Sequence, residues 1–266
     1  MKTIIISDLH NRVDIVEPVL SSPALQPYDN VIFLEDYFDD FYDTPDDVAH
    51  SARWLKQSLH RSNRIHLIGT HDIWYRFPDN RFVIASGNTE EKSNAINNIL
   101  TEKDWNLVRP YYYEQDFLMT HAGIHPYIIG QYALKNKHIF DKYIVGNDLQ
   151  LSTQEIINRI VKPATEEGLK DVKNNIMNSW FEAGFARWGT QKVGGITWLD
   201  WQKEFQPIPG LNQIVGHSEL RTPEQKSTHN SKNYCLDTKS RHIGILEDGE
   251  FTYVETIDVL EVIKGE

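Results

Sequence analysis

Five short apolar runs in this chain each stop at an aspartate or a histidine, and that shared ending limits what the chain can build. Lys2 to Ser7 (KTIIIS), Asn30 to Leu34 (NVIFL), Ile65 to Ile68, Phe117 to Thr120 (FLMT) and Asn212 to Val215 read as buried strands. They run into "DLH", "EDYFD", "GTHD", "HAG" and "GHS" respectively, usually with a glycine that lets the backbone turn. In open α/β sheets, ligands collect beyond the carboxyl ends of the strands. One such ending is an ordinary turn or a satisfied loop residue. Five in order are better explained by a common site.

The segments between these runs support an α/β reading. Thr44 can cap a helix, Pro45 suits its first turn, and Asp46 and Asp47 favour its positive end. Val48, Leu55 and Leu59 then recur at helical spacing. Strand, helix and strand at this spacing predict crossover units and a sheet with a parallel portion. From Pro126 to Arg187 the pattern is mainly helical and includes the capping-box spacing Ser152-x-x-Glu155. The chain then returns to β patterning: a strand over Tyr234 to Leu236, and a hairpin of Ile243 to Leu246 and Phe251 to Val254 turning on Asp248-Gly249. The economical expectation is one domain over 1–266 with a mainly helical insertion at about 126–193.

Composition narrows the classes. Of the 266 residues, 40% are hydrophobic, enough for a sizeable core and unlike a disordered chain. A net charge of −11 disfavours long nucleic acids and anionic membrane surfaces as partners. A single cysteine, Cys235, excludes an internal disulfide and fits a reducing compartment. The opening MKTIIISDLH turns acidic too soon for a signal peptide, and no run approaches membrane-spanning length. The expectation is a soluble cytoplasmic protein.

Carboxylate and imidazole together form a ligand set for divalent transition metals, and one carboxylate can bridge two ions. At "DLH", "EDYFD", "GTHD", "HAG" and "GHS", in that order, the chain resembles the calcineurin-like metallophosphoesterases. The likeness covers Met1 to about Gly123 and about Gly194 to Val254. Its details, "THAGI", the single histidine of "GHS" and "CLDT", resemble the branch of serine/threonine protein phosphatases and symmetrical diadenosine tetraphosphatases. The resemblance implies a layered α/β/β/α sandwich with two facing β-sheets, and a site holding two divalent ions, Mn²⁺ first, with Fe, Zn or Mg as alternatives. Asp8 and His10 would hold one ion. Asp36 would bridge to a second, held also by His121, His217 and the residue at position 70. His71, oriented by Asp39, would protonate the leaving oxygen, since a phosphoester oxyanion leaves poorly unless protonated or metal-bound. The attacking water would lie between the two cations.

Three positions depart from the family pattern. Thr70 stands where the family has asparagine, and a hydroxyl is a weaker donor to a cation than an amide oxygen. Glu35 stands where the family has glycine, adding bulk and charge beside Asp36, and is itself a candidate ligand. Both could mark a natural altered site, a degenerate enzyme or an engineered variant. Asp40 stands where the branch's protein phosphatases carry a phosphate-gripping arginine. Arg187 in "FARWG" could replace that contact or simply lie over Trp188. Trp180, Trp188, Trp198 and Trp201 could stack on a nucleobase, although core or rim packing is the commoner use.

The expected function is metal-dependent hydrolysis of phosphate monoesters on a phosphorylated small molecule, a nucleotide or a phosphoprotein, weakened by Thr70 and Glu35. The rivals are a catalytically impaired binding protein of the same fold and a dinucleotide polyphosphate hydrolase. A nuclease is disfavoured by the acidic balance and the lack of a basic stripe.

Overall fold

Ile4 and Ile6 point to one side of the first strand and Ile5 to the other, and all three are buried. A strand covered on both faces reads as a continuous apolar run, which is why KTIII carries no alternation. The computed structural model describes residues 1–40, 42–140, 144–145, 148–149 and 151–264. It is an α/β fold with two five-stranded mixed sheets.

The strands, in chain order, are β1 (Lys2–Ile6), β2 (Asn30–Phe33), β3 (Arg64–His66), β4 (Tyr112–Glu114), β5 (Phe117–Met119), β6 (Ile144–Val145), β7 (Asp148–Leu149), β8 (Asn212–Val215), β9 (Glu224–Ser227), β10 (Lys232–Cys235), β11 (His242–Glu247) and β12 (Glu250–Glu255). One sheet has the order β12-β11-β1-β2-β3, with β1, β2 and β3 parallel and the hairpin β11–β12 antiparallel on the far side. The other has the order β4-β5-β8-β10-β9, with β5, β8 and β10 parallel between antiparallel edges. Strands β6 and β7 pair with each other, and with no other strand among the described residues. Within each parallel trio the carboxyl ends share one edge, as the sequence pattern requires.

An apolar cluster joins the two sheets. Ile5, Ile32, Leu34 and Leu246 from the first meet Phe117, Met119, Ile214 and Leu236 from the second. The opposite face of the first sheet, with Ile4, Ile6, Val31 and Phe33, packs in the larger cluster with Val48, Ala52 and Leu55. These come from a helix over Pro45–Leu59, whose start is the expected one: Thr44 Oγ1 accepts from the Asp47 amide, and the Asp47 side chain accepts from the Thr44 amide.

Two regions differ from expectation. A helix over Thr70–Arg76 begins at the polar cluster, where the sequence pattern named no element. Its seven residues are too few for periodicity to show, and Asp72 starts it by accepting from the Gly69 amide at 2.9 Å. In the insertion, helical structure runs over Pro126–Lys135, Lys137–Phe140 and the unbroken stretch 153–173, starting on the Ser152–Glu155 capping box. Beyond Lys173 the chain up to 193 is irregular apart from one turn over Phe185–Arg187. There Gly189 packs on Ala183 so closely that a Cβ would sit 1.9 Å from the Ala183 carbonyl oxygen. No helix among the described residues is long and apolar enough to cross a membrane.

Candidate metal centre and its acid–base pair

The ends of β1, β2, β5 and β8 bring Asp8, His10, Asp36, His121 and His217 together in two groups that share Asp36. Asp8, His10 and Asp36 form one, and Asp36, His121 and His217 the other; within each, one ligating atom per residue lies within 4.8 Å of the rest. Asp8, Asp36 and His121 are buried, while His10 is half-buried at the cavity wall.

The local backbone explains how each side chain is aimed. His10 and His217 both adopt left-handed conformations, with φ of 43° and 66°. Such angles are uncommon outside glycine and persist only where surrounding contacts fix them. The His10 and His217 amides donate to the Asp36 carbonyl at 2.8 Å and to Asp8 Oδ1 at 3.0 Å. Two glycines make room: a Cβ on Gly216 would lie 2.3 Å from Asp8 Oδ2, and one on Gly69 2.2 Å from Asp36 Oδ1.

Hydrogen bonding also sets the imidazole tautomers. His10 Nδ1 faces the carbonyls of Phe38 and Asp39 at 3.1 and 2.7 Å, and His121 Nδ1 faces the Leu34 carbonyl at 3.2 Å. A carbonyl only accepts, so Nδ1 carries a proton in each ring, and Nε2 is the nitrogen left to ligate a cation once it has lost its own proton. Those Nε2 atoms lie 3.9 and 3.4 Å from Asp36 Oδ2. His217 Nε2 is buried without any hydrogen-bond partner. Imidazole nitrogens facing a buried carboxylate, with His217 Nδ1 3.1 Å from His121 Nε2, fit a divalent cation.

The charges of these groups are strongly interdependent. Burial opposes ionisation of Asp36, but His121 and His71 outweigh it and hold its carboxyl below the usual range. Burial and Asp237 push Asp8 well up. Burial opposes the charged form of His121, yet Asp36 and Asp8 raise it to about 9, while burial and the His121 charge drive His217 well down. Asp36 adds to the rise of Asp8, and a cation bound between the two carboxylates would relieve that repulsion.

Thr70 and His71 are adjacent, and their side chains find different partners. The Thr70 hydroxyl donates to the Thr197 carbonyl and lies 3.3 Å from His217 Nδ1. His71 Nδ1 lies 3.3 Å from Asp39 Oδ2, while its amide donates to Asp36 Oδ1 at 2.8 Å. Burial opposes protonation of His71, but Asp36 and Asp39 raise its pKa above the ordinary value. Glu35 is fully buried with neither carboxylate oxygen hydrogen-bonded, and burial with Asp72 and Asp8 drives its pKa well up. It belongs to neither ligand group.

A cavity of about 510 Å³ opens over this cluster, and His10, Asp39, His71, Arg187 and His217 are among the residues lining it. Of the two alternatives for Arg187, a phosphate contact or a place over Trp188, neither includes its ion pair: Nε sits 2.8 Å from Asp200 Oδ2, with Arg187 at the cavity wall. Trp188 itself is 94% exposed, whereas Trp180 and Trp201 are core residues and Trp198 packs edge-on against His217 at 5.9 Å. Tyr75, Asn88 and Lys92, which surround Asp39, carry no motif that marks them in the sequence.

No family model matches the chain, and no curated protein does. Among solved structures, the chain is similar to a cold-active protein-tyrosine phosphatase of a psychrophilic Shewanella species, at 16% identity, covering 96% of this chain and 80% of that one with a TM-score of 0.49. A second structure of a cold-active protein tyrosine phosphatase gives 16% identity, 95% and 78% coverage, and 0.49. At these values they define neither a family nor an activity for this chain.

Proposed function

We propose that this protein is a metal-dependent phosphoesterase acting on phosphate monoesters, with the layered α/β/β/α metallophosphoesterase sandwich as its finer fold. One observation carries the proposal: two ligand groups meet on a single buried carboxylate, Asp36, and one histidine of each, His10 and His217, lines a cavity. Asp8 and His10 would hold one divalent ion, His121 and His217 a second, and Asp36 both. Bound there, the cations, Mn²⁺ foremost, would supply Lewis acidity to the phosphoryl oxygens and to the attacking water.

The chain's own groups supply the rest. His71, charged by Asp36 and Asp39, gives its proton to the departing oxygen. Asp39 keeps the ring oriented, and Arg187, steadied by Asp200, offers a guanidinium to the phosphoryl group. The acidic surface fits a phosphorylated small molecule, nucleotide or phosphoprotein better than a long nucleic acid.

A second reading, a weakened or impaired relative, has its own observation. The Thr70 hydroxyl is already committed to the Thr197 carbonyl, so position 70 offers the second ion little. Hydrolysis of para-nitrophenyl phosphate with added Mn²⁺, alongside metal analysis, separates the two. Turnover that a chelator abolishes and Mn²⁺ restores supports the phosphoesterase. Stoichiometric metal without turnover supports the impaired relative.

A further inference from the structure

Four cationic side chains line the cavity over the ligand cluster: Arg12, Lys92, Arg187 and Lys239. Three are matched by carboxylates. Lys92 Nζ lies 3.0 Å from Asp39 and 2.6 Å from Asp43, Arg187 lies 2.8 Å from Asp200, and Lys239 lies 2.9 Å from Glu219. Arg12 differs. It is half-buried and has no carboxylate partner among the described residues; its side chain's one hydrogen bond among them is a 3.5 Å contact from Nη2 to the Asp8 carbonyl, and its Nε, like that of Arg187, is buried without a hydrogen-bond partner. Its position is fixed by the backbone, because it follows His10 and Asn11, both at positive φ, and its amide donates to the Leu9 carbonyl at 2.9 Å.

A guanidinium held at a cavity wall with an unsatisfied donor is a site for an oxyanion. Its fork of N–H groups matches two oxygens of a phosphate at once. We infer that Arg12 is the principal protein cation that binds the substrate's phosphoryl group, and so a specificity-determining residue for doubly charged phosphate monoesters. This rests on the phosphoesterase reading for its substrate, but its binding step can be measured without turnover. Asp43 does not compete for Arg12, since Lys92 Nζ and the Asn11 side-chain Nδ2 hold it at 2.6 and 2.9 Å.

The test is calorimetric titration of inorganic phosphate into the Mn²⁺-loaded protein, parent against Arg12→Met and Arg12→Lys, with kcat and KM on para-nitrophenyl phosphate measured in parallel. Arg12→Met is expected to weaken phosphate binding and raise KM about ten- to a hundredfold, the loss of one charge-assisted bidentate contact. Arg12→Lys, which keeps the charge and loses the fork, should recover part of the binding. Unchanged phosphate affinity in Arg12→Met, or a parent that binds no phosphate, overturns the assignment even if the enzyme turns over. A parent that binds phosphate through Arg12 yet hydrolyses nothing upholds it and overturns the phosphoesterase reading instead.

Discussion

His71 Nδ1 stands 3.3 Å from Asp39 Oδ2, and that carboxylate is gripped from three further directions. Tyr75 donates to Oδ1 at 2.7 Å, Lys92 reaches the same oxygen at 3.0 Å, and Asn88 donates to Oδ2 at 2.6 Å. Burial opposes the charge on Asp39, but the bonds from His71 and Tyr75 keep its carboxyl ionised below the usual range. A carboxylate held this firmly orients the imidazole without taking its proton.

If His71 is the proton donor, His71→Asn should act through the leaving group. On alkyl phosphates, whose alkoxide leaves poorly, turnover should fall by about 10²- to 10⁴-fold. On para-nitrophenyl phosphate, whose phenolate leaves unaided, the loss should be far smaller. Comparing kcat on the two substrates checks this, and equal losses would contradict the role.

The different partners of Thr70 and His71 bear on the proposed second ion. Thr70→Asn replaces a hydroxyl tied to the Thr197 carbonyl with a longer side chain bearing an amide oxygen. It is expected to tighten the weaker Mn²⁺ site about ten- to a hundredfold, comparable to a charge-assisted hydrogen bond. Glu35→Gly removes a buried, unpartnered carboxyl that lies outside both ligand groups, and should leave the metal stoichiometry unchanged. Calorimetric titration of both variants decides it. A Thr70→Asn protein identical to the parent in affinity and rate would show that position 70 plays no part.

The parts of this arrangement that were legible in the sequence are those marked by apolar runs. β1, β2, β5 and β8 and the hairpin β11–β12 fall where the runs predict, and their ends deliver Asp8, His10, Asp36, His121 and His217 to one place. β4 and β9 gave no such signal because they are sheet edges; in β9 only Lys226 is more than slightly covered. Lys92 was illegible for another reason. It sits in the first turn of a helix over Glu90–Asn97, and only the tertiary fold carries its amine to Asp39. Arg187 was visible as a residue, but its partner Asp200 was not, since the irregular chain between them has no period from which contacts can be read.

His66 offers a test away from the site. It is buried, stacked on Phe33 at 4.5 Å, with Nδ1 2.6 Å from the Tyr37 hydroxyl and Nε2 3.0 Å from the Ser58 hydroxyl. Burial and the Arg64 charge lower its pKa from 6.5 to about 3. A histidine depressed on folding contributes stability above its unfolded pKa, lost as pH falls toward its folded one. Between pH 6.5 and about 3 the parent should therefore lose up to about 1.4 kcal/mol per pH unit that a His66→Gln variant does not lose. Denaturant melts of both proteins across this range check the difference; parallel curves would show that His66 ionises freely in the fold.

The most direct test of a two-ion centre built on one carboxylate is calorimetric titration of Mn²⁺ into the parent and into Asp36→Asn. The parent should take up two ions per chain, one more weakly, and Asp36→Asn should lose at least one of them together with any Mn²⁺-dependent hydrolysis of para-nitrophenyl phosphate. A parent that binds no Mn²⁺, or an Asp36→Asn protein that still binds two ions with the parent's affinities, would contradict the assignment.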